Sequence, residues 1–169
     1  MKNELGRAIE TLEGSIAGAR WVPAQNLHVT MTFLGRVEAE NIQGVSAAIA
    51  QAVSDHVDFT VRLGELGAFP SLRRARVIWA GLDDPTSGLA GLADSVAGAT
   101  EPLGFPREAR AFQPHVTIAR LKNPRPVELG AAPAPLSFPV ERISLFESHL
   151  RRPAPVYEEL ATFPFRRGS

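Results

Sequence analysis

The 169-residue chain sets 18 Lys and Arg against 18 Asp and Glu, so no net field draws it onto nucleic acid or an anionic membrane, and any attraction for phosphate has to be local. It holds no cysteine, which excludes disulfides, thiolate nucleophiles and cysteine zinc sites and permits a cytoplasmic address. Its apolar and charged shares are those of a folded globular chain, long enough for one domain, with room for two lobes.

In chain order the pattern starts helical. Leu5, Ala8, Ile9, Leu12 and Ile16 recur at helical spacing from Glu4, broken by charges in the manner of an amphipathic helix and not of a signal sequence, and Trp21-Val22-Pro23 closes the segment. Leu27, Val29, Met31 and Phe33 then alternate with His28, Thr30 and Thr32 before Gly35, which predicts a half-buried strand. Helical spacing returns from Glu38 to Val53 through Ile42, Val45 and Ile49. Val57 to Leu66 and Arg76 to Leu82 predict paired strands around a Phe69-Pro70-Ser71 loop. A third helix opens at Asp84-Pro85-Thr86, with Pro85 at its start, runs through Leu89, Leu92 and Val96, and gives way to a loop at Pro102, Gly104 and Pro106.

Pro114 to Leu121 predicts another strand, in which Val116 and Ile118 alternate with His115 and Thr117. The Pro-rich stretch from Pro124 to Pro139 suits a surface connection. Val140 to Glu147 and Val156 to Phe163 predict two last strands, with His149 and the Arg151 to Pro155 loop between them. No segment is long and apolar enough to span a bilayer.

One pattern is written twice. Leu27-His28-Val29-Thr30-Met31 and Pro114-His115-Val116-Thr117-Ile118 both carry His-x-Thr on an alternating strand. Strand side chains repeat their direction every second residue, so each histidine shares a face with its threonine. Two such strands side by side would give one pocket two imidazoles and two hydroxyls. In-line displacement at phosphorus needs a base on the attacking water and an acid on the leaving oxygen, and histidine serves either role near neutrality. The hydroxyls of Thr30 and Thr117 would hold the non-bridging oxygens. Arg120 lies near enough to serve the same phosphate, but strict alternation puts it on the opposite face unless the strand ends or twists first.

A single His-x-Thr is usually just a half-exposed strand, and the weight rests on the repetition. His56 and His149, in apparent loops without a threonine partner, are read as surface or structural residues. Trp21 and Trp79, among apolar neighbours, are read as packing residues. The arginine pairs Arg73-Arg74, Arg151-Arg152 and Arg166-Arg167 are read as solvated surface. No close His or carboxylate spacing of the zinc-helix kind accompanies either histidine, and no Gly-rich loop precedes a Lys, so neither a metal nor a nucleotide triphosphate is expected as cofactor.

At these residues the sequence resembles the two-histidine (2H) phosphoesterase superfamily, and within it the RNA 2′,3′-cyclic phosphodiesterases also described as 2′-5′ RNA ligase-like. Arg20-Trp21-Val22-Pro23 through Asn26-Leu27-His28-Val29-Thr30 and Phe33-Leu34-Gly35 is similar to the family's first motif region, and Arg76-Val77-Ile78-Trp79-Ala80-Gly81 to its middle strand. Phe112-Gln113-Pro114-His115-Val116-Thr117-Ile118-Ala119-Arg120 resembles the second motif, and Leu145-Phe146-Glu147-Ser148 with Tyr157 the closing strands. The resemblance implies an α+β fold over residues 1–169, a single domain of two similar lobes related by a pseudo-two-fold, with antiparallel sheets around a central cleft and helices outside.

It also implies hydrolysis of an RNA 2′,3′-cyclic phosphate end to a 2′-phosphomonoester without metal or ATP; a cytoplasmic address and no obligate protein partner are expected alongside it. In this scheme His28 donates a proton to the leaving oxygen, His115 accepts one from water, and Thr30, Thr117 and Arg120 contact phosphate. Two departures stand out. The family usually begins with an apolar strand ahead of the first helix, whereas this chain starts directly with the helix at Met1-Lys2-Asn3-Glu4, so either the start is truncated or that strand is lost, and a missing strand would leave an unpaired edge or an incomplete lobe; Arg151-Arg152-Pro153-Ala154-Pro155 stands where a Gly-Pro turn is usual. The competing expectations are an RNA or nucleotide binding module with weak turnover, and a phosphodiesterase acting on small cyclic nucleotides.

Overall fold

The computed structural model describes residues 6–7, 9–10, 12–130, 135–149 and 155–168. Among the described residues, seven strands and two long helices follow one another as β1 (Arg20–Trp21), α1 (Ile42–Val53), β2 (Phe59–Phe69), β3 (Ala75–Asp83), α2 (Gly88–Thr100), β4 (His115–Arg125), β5 (Ser137–Val140), β6 (Arg142–His149) and β7 (Val156–Pro164). The class is α+β, as expected, with a five-stranded sheet in the order β1-β4-β3-β2-β5 and a two-stranded sheet β6-β7. The pairings β1 with β4, β2 with β3, β3 with β4 and β6 with β7 are antiparallel. No described helix is long and apolar enough to cross a membrane.

The chain divides into two compact units. The first contains Met1–Val29, Val61–Asp83 and Pro114–Phe138, and the second Thr30–Thr60, Asp84–Gln113 and Pro139–Ser169. In the first unit one face of the sheet is closed: Ile78, Ala80, Val116, Ile118 and Ala119 are buried. Ile9 and Ile16, from the N-terminal segment, are buried too. The amphipathic helix expected from Glu4 to Ile16 is helical at Gly6, Arg7, Ile9 and Glu10 and breaks into turns from Leu12. Leu5 and Ala8, and the Met1–Leu5 stretch on which the expectation of a missing first strand rests, lie outside the described residues. Trp21, expected with Val22 and Pro23 to close that segment, instead joins Arg20 in the edge strand β1 on β4.

In the second unit the helical spacing of both predicted helices is realised. Val45, Ile49 and Val53 of α1 meet Leu92 and Val96 of α2 and Phe163 of β7 in one core. Each such aliphatic side chain, taken fully out of water, stabilises the fold by about 1.5–3 kcal/mol. Pro85 does not open α2. The helix starts at Gly88, after Ser87 in a left-handed conformation (φ 56°). The Asp84 carboxylate caps the turn, accepting from the Leu89 N–H at 2.7 Å and the Thr86 hydroxyl at 2.7 Å. Burial would raise the Asp84 pKa, but these bonds together outweigh it and hold the carboxyl below its ordinary value.

Four further expectations need correction. Leu27 to Phe33 is not a regular strand, since only Val29 makes a bridge. Met31 and Leu34 pack on the helical core while Phe33 is 75% exposed, so the alternation that predicted a strand breaks after Met31. Val140 belongs to β5 and not to β6, with Glu141 breaking the chain between them. His149 ends β6, opposite Val156, and is not in a loop, whereas the Arg151 to Ala154 part of that loop lies outside the described residues. The Pro-rich stretch is strand at both ends, because β4 continues to Arg125 and β5 begins at Ser137.

Candidate active site

The site is built on the open face of the first unit's sheet. Along β4, Val116, Ile118, Ala119 and Leu121 are buried, His115 and Thr117 are half-buried, and Arg120 is exposed. Two consecutive buried residues break strict alternation, and the register explains them. Ala119 pairs with Ile78 while Thr117 pairs with the very next residue of β3, Trp79, so Ile118 is an extra residue on β4. A bulge of this kind turns adjacent side chains to one side and restarts the alternation one residue late. Ile118 and Ala119 therefore both face the core, and Arg120 rejoins His115 and Thr117 on the open face. The twist that strict alternation required for Arg120 is this bulge.

His28 reaches the same face by a different route. Ala24–Asn26 forms a 3-10 turn, Leu27 is 2% exposed, and Val29 makes an antiparallel bridge with Val116. One step along that pairing His28 runs beside Thr117, with its side chain away from the buried Val116. The His28 Nδ1–H donates to the Asn26 carbonyl at 2.7 Å. A carbonyl can only accept, so Nδ1 carries the hydrogen of this bond.

Aromatic rings wall His115. The Phe69 ring meets the imidazole edge-on at 5.1 Å between centroids, Trp79 stands 6.1 Å away, and the two aromatics are 5.2 Å apart. Gly67 pairs with Trp79 across β2 and β3, and a Cβ there would sit 2.1 Å from the indole. The absent side chain is what lets the ring lie flat against the sheet. Trp21 packs on the closed side as expected, in a small cavity with Leu12, Ile16, Ile78 and Ile118. Trp79 packs as expected too, but on the histidine face, against Phe69 and His115. Its Nε1 is buried without a hydrogen-bond partner among the described residues.

Arg20 was quoted above only as part of the first motif region. It lies directly across from Arg120 in the β1–β4 pairing, and nothing in the local pattern announces that register. Thr30, the remaining expected phosphate contact, begins the second unit, half-buried or exposed neighbours on either side, in irregular backbone. His56 is structural as expected: its Nε2 is 3.1 Å from the Ser95 hydroxyl and its ring packs on Phe165. His149, with Glu147 and Glu158, forms the clustered set of potential metal ligands among the described residues. The two carboxylates flank opposite ring nitrogens, at 3.9 Å from Nδ1 and 3.3 Å from Nε2.

Residues 2–152 match the family described as the 2′-5′ RNA ligase superfamily. The chain belongs to this superfamily. Among curated relatives, the RNA 2′,3′-cyclic phosphodiesterase of Aquifex aeolicus is 32% identical over 85% of this chain and 80% of its own length. The RNA 2′,3′-cyclic phosphodiesterase of Thermus thermophilus is 33% identical over 88% and 77%. The crystal structure of TT0787 of Thermus thermophilus superposes with a TM-score of 0.86 at 30% identity, covering 99% of this chain and 94% of that one. The E. coli LigT structure complexed with 3′-AMP gives a TM-score of 0.83 at 28% identity, covering 96% and 92%. For this member of the superfamily the α+β class with antiparallel sheets, expected from the resemblance, is the class observed.

Proposed function

We propose that this chain hydrolyses RNA 2′,3′-cyclic phosphate ends to 2′-phosphomonoesters by a two-histidine acid and base mechanism. The observation that carries the reading is the Val29–Val116 bridge, which sets His28 beside Thr117 on the face that also bears His115 and Arg120. The names of the curated relatives and the capture of 3′-AMP and of phosphate by LigT support the same substrate class.

Water attacks phosphorus while the bond from phosphorus to the 3′-oxygen breaks. His115 takes the proton that water loses, and His28 supplies from Nε2 the proton that the leaving 3′-oxygen gains, so the 2′-oxygen keeps the phosphate. Each transfer contributes roughly 10²–10⁴ in rate. The Nδ1–H bond from His28 to Asn26 suits the donor role, since it orients the ring and supports the charge of the protonated form. The Thr117 hydroxyl and the Arg120 guanidinium stabilise the equatorial oxygens as charge grows there. Thr30 joins them on the strength of the resemblance, as does the assignment of donor to His28 and acceptor to His115. The reaction moves protons and one phosphoryl group only, and we place it in the cytoplasm with its RNA substrate.

The test is an RNA oligonucleotide ending in a 2′,3′-cyclic phosphate, incubated with excess EDTA and no ATP, beside His28→Ala and His115→Ala. Conversion to a 2′-phosphate end by the wild type, lost in both variants, is the expected result. No conversion by folded protein that binds the RNA would overturn it in favour of a binding module.

A further inference from the structure

We propose that Arg20 and Arg120 act as a two-guanidinium clamp, Arg120 on the cyclic phosphate and Arg20 on the phosphodiester one nucleotide to its 5′ side, so that the site prefers RNA ends to cyclic mononucleotides. The inference deepens the reading above and rests on it.

Arg20 and Arg120 are Cα partners across the antiparallel β1–β4 pair. Residues so paired share a face, with Cβ atoms about 4.5–5.5 Å apart, and like charges placed there destabilise the sheet. Such an arrangement is ordinarily relieved by a nearby acid. Here the row across the sheet is Arg20, Arg120, Val77 and Phe69, which offers no carboxylate. Neither guanidinium has an ion pair or hydrogen bond among the described residues. The bulge at Ile118 turns Arg120, and with it the row containing Arg20, toward the side of His115 and Thr117. The strand pairing therefore concentrates two unneutralised charges beside the proposed reacting phosphate in a chain of zero formal net charge.

A cyclic phosphate is a single anion, and one bidentate arginine satisfies it. A second arginine on the same row has a partner only if the substrate brings a second phosphate. In an RNA end that phosphate is one ribose away, a span that two long side chains fanning from adjacent strands cover. A cyclic mononucleotide lacks it.

The experiment compares kcat and KM on a tetranucleotide ending in a 2′,3′-cyclic phosphate and on 2′,3′-cyclic AMP, for the wild type, Arg20→Ala and Arg20→Lys. The expected result is a selective loss. In Arg20→Ala the ratio of kcat/KM for the tetranucleotide to that for cyclic AMP falls about 10- to 100-fold, chiefly through KM, as loss of one charge-assisted hydrogen bond implies. The Lys variant recovers part of it. The slope of log KM against log salt for the tetranucleotide drops by about 0.7, the contribution of one phosphate contact on a single strand. The thermal midpoint of Arg20→Ala does not fall, because the substitution relieves a repulsion. Equal losses on both substrates, no loss on either, or a lowered midpoint would each overturn the clamp.

Equilibrium binding of a tetranucleotide ending in a 2′-phosphate, against 2′-AMP, separates the two readings. Wild type that binds the longer ligand through Arg20 but turns over nothing overturns the catalytic reading and keeps the clamp, whereas wild type that binds neither removes both.

Discussion

Replacing Gly67 with alanine should damage turnover from beneath the aromatic wall, without touching a group that meets substrate. The added Cβ would lie 2.1, 2.3 and 2.6 Å from three atoms of the Trp79 indole, inside any tolerable contact, so the ring has to move by about an ångström. Trp79 is held between Gly67, Phe69 and His115, and its displacement pushes on the imidazole. Overpacking of this kind costs about 1–3 kcal/mol of stability. A displacement near one ångström at a reacting group costs up to roughly 100-fold in rate. The assay is urea unfolding beside kcat at saturating oligonucleotide. Adding Trp79→Phe shortens the clashing ring and sacrifices no hydrogen bond of Nε1, so the double variant should regain most of both losses. Gly67→Ala with wild-type stability and wild-type kcat would refute the view that Gly67 seats Trp79 and that Trp79 walls His115.

Three other outcomes follow from the same geometry. The pH profile of kcat/KM for the wild type should be a bell, with one limb abolished in His28→Ala and the other in His115→Ala; limbs that persist in both variants would remove the acid and base assignment. Asp84→Asn should cost about 1 kcal/mol of stability at neutral pH, the worth of a helix cap. Because the folded pKa of Asp84 lies below 3.8, the cap is fully present above that value and is lost as pH falls through the folded pKa, so the difference between wild type and variant should shrink on acidification, as thermal melts would read. Gly44→Ala, in the first turn of α1 with open space around its Cβ position, should raise stability by about 0.5–1 kcal/mol and leave turnover unchanged.

The amino-acid sequence by itself determined a good deal. Periodicity alone separates α1 and α2 from the strands, because a buried helix face and a half-buried strand repeat at different intervals whatever surrounds them. It also sets His28 and Thr30 against His115 and Thr117 as a repeated pattern, from which the two-histidine proposal starts. Four matters were decided by tertiary structure.

Phe33 left the alternation because Met31 and Leu34 found a helical core to pack on. Arg120 changed face because β4 has one residue more than β3 between two pairings, and a bulge has no signature within the strand that carries it. Trp79 reads as one more apolar residue until Gly67 is known to lie opposite it. Arg20 meets Arg120 from the far end of the chain's first unit, through a register that a two-residue strand cannot specify on its own. Local pattern fixes which residues share a face within one element, whereas the contacts between elements depend on register, and register is settled by the packing of the whole sheet.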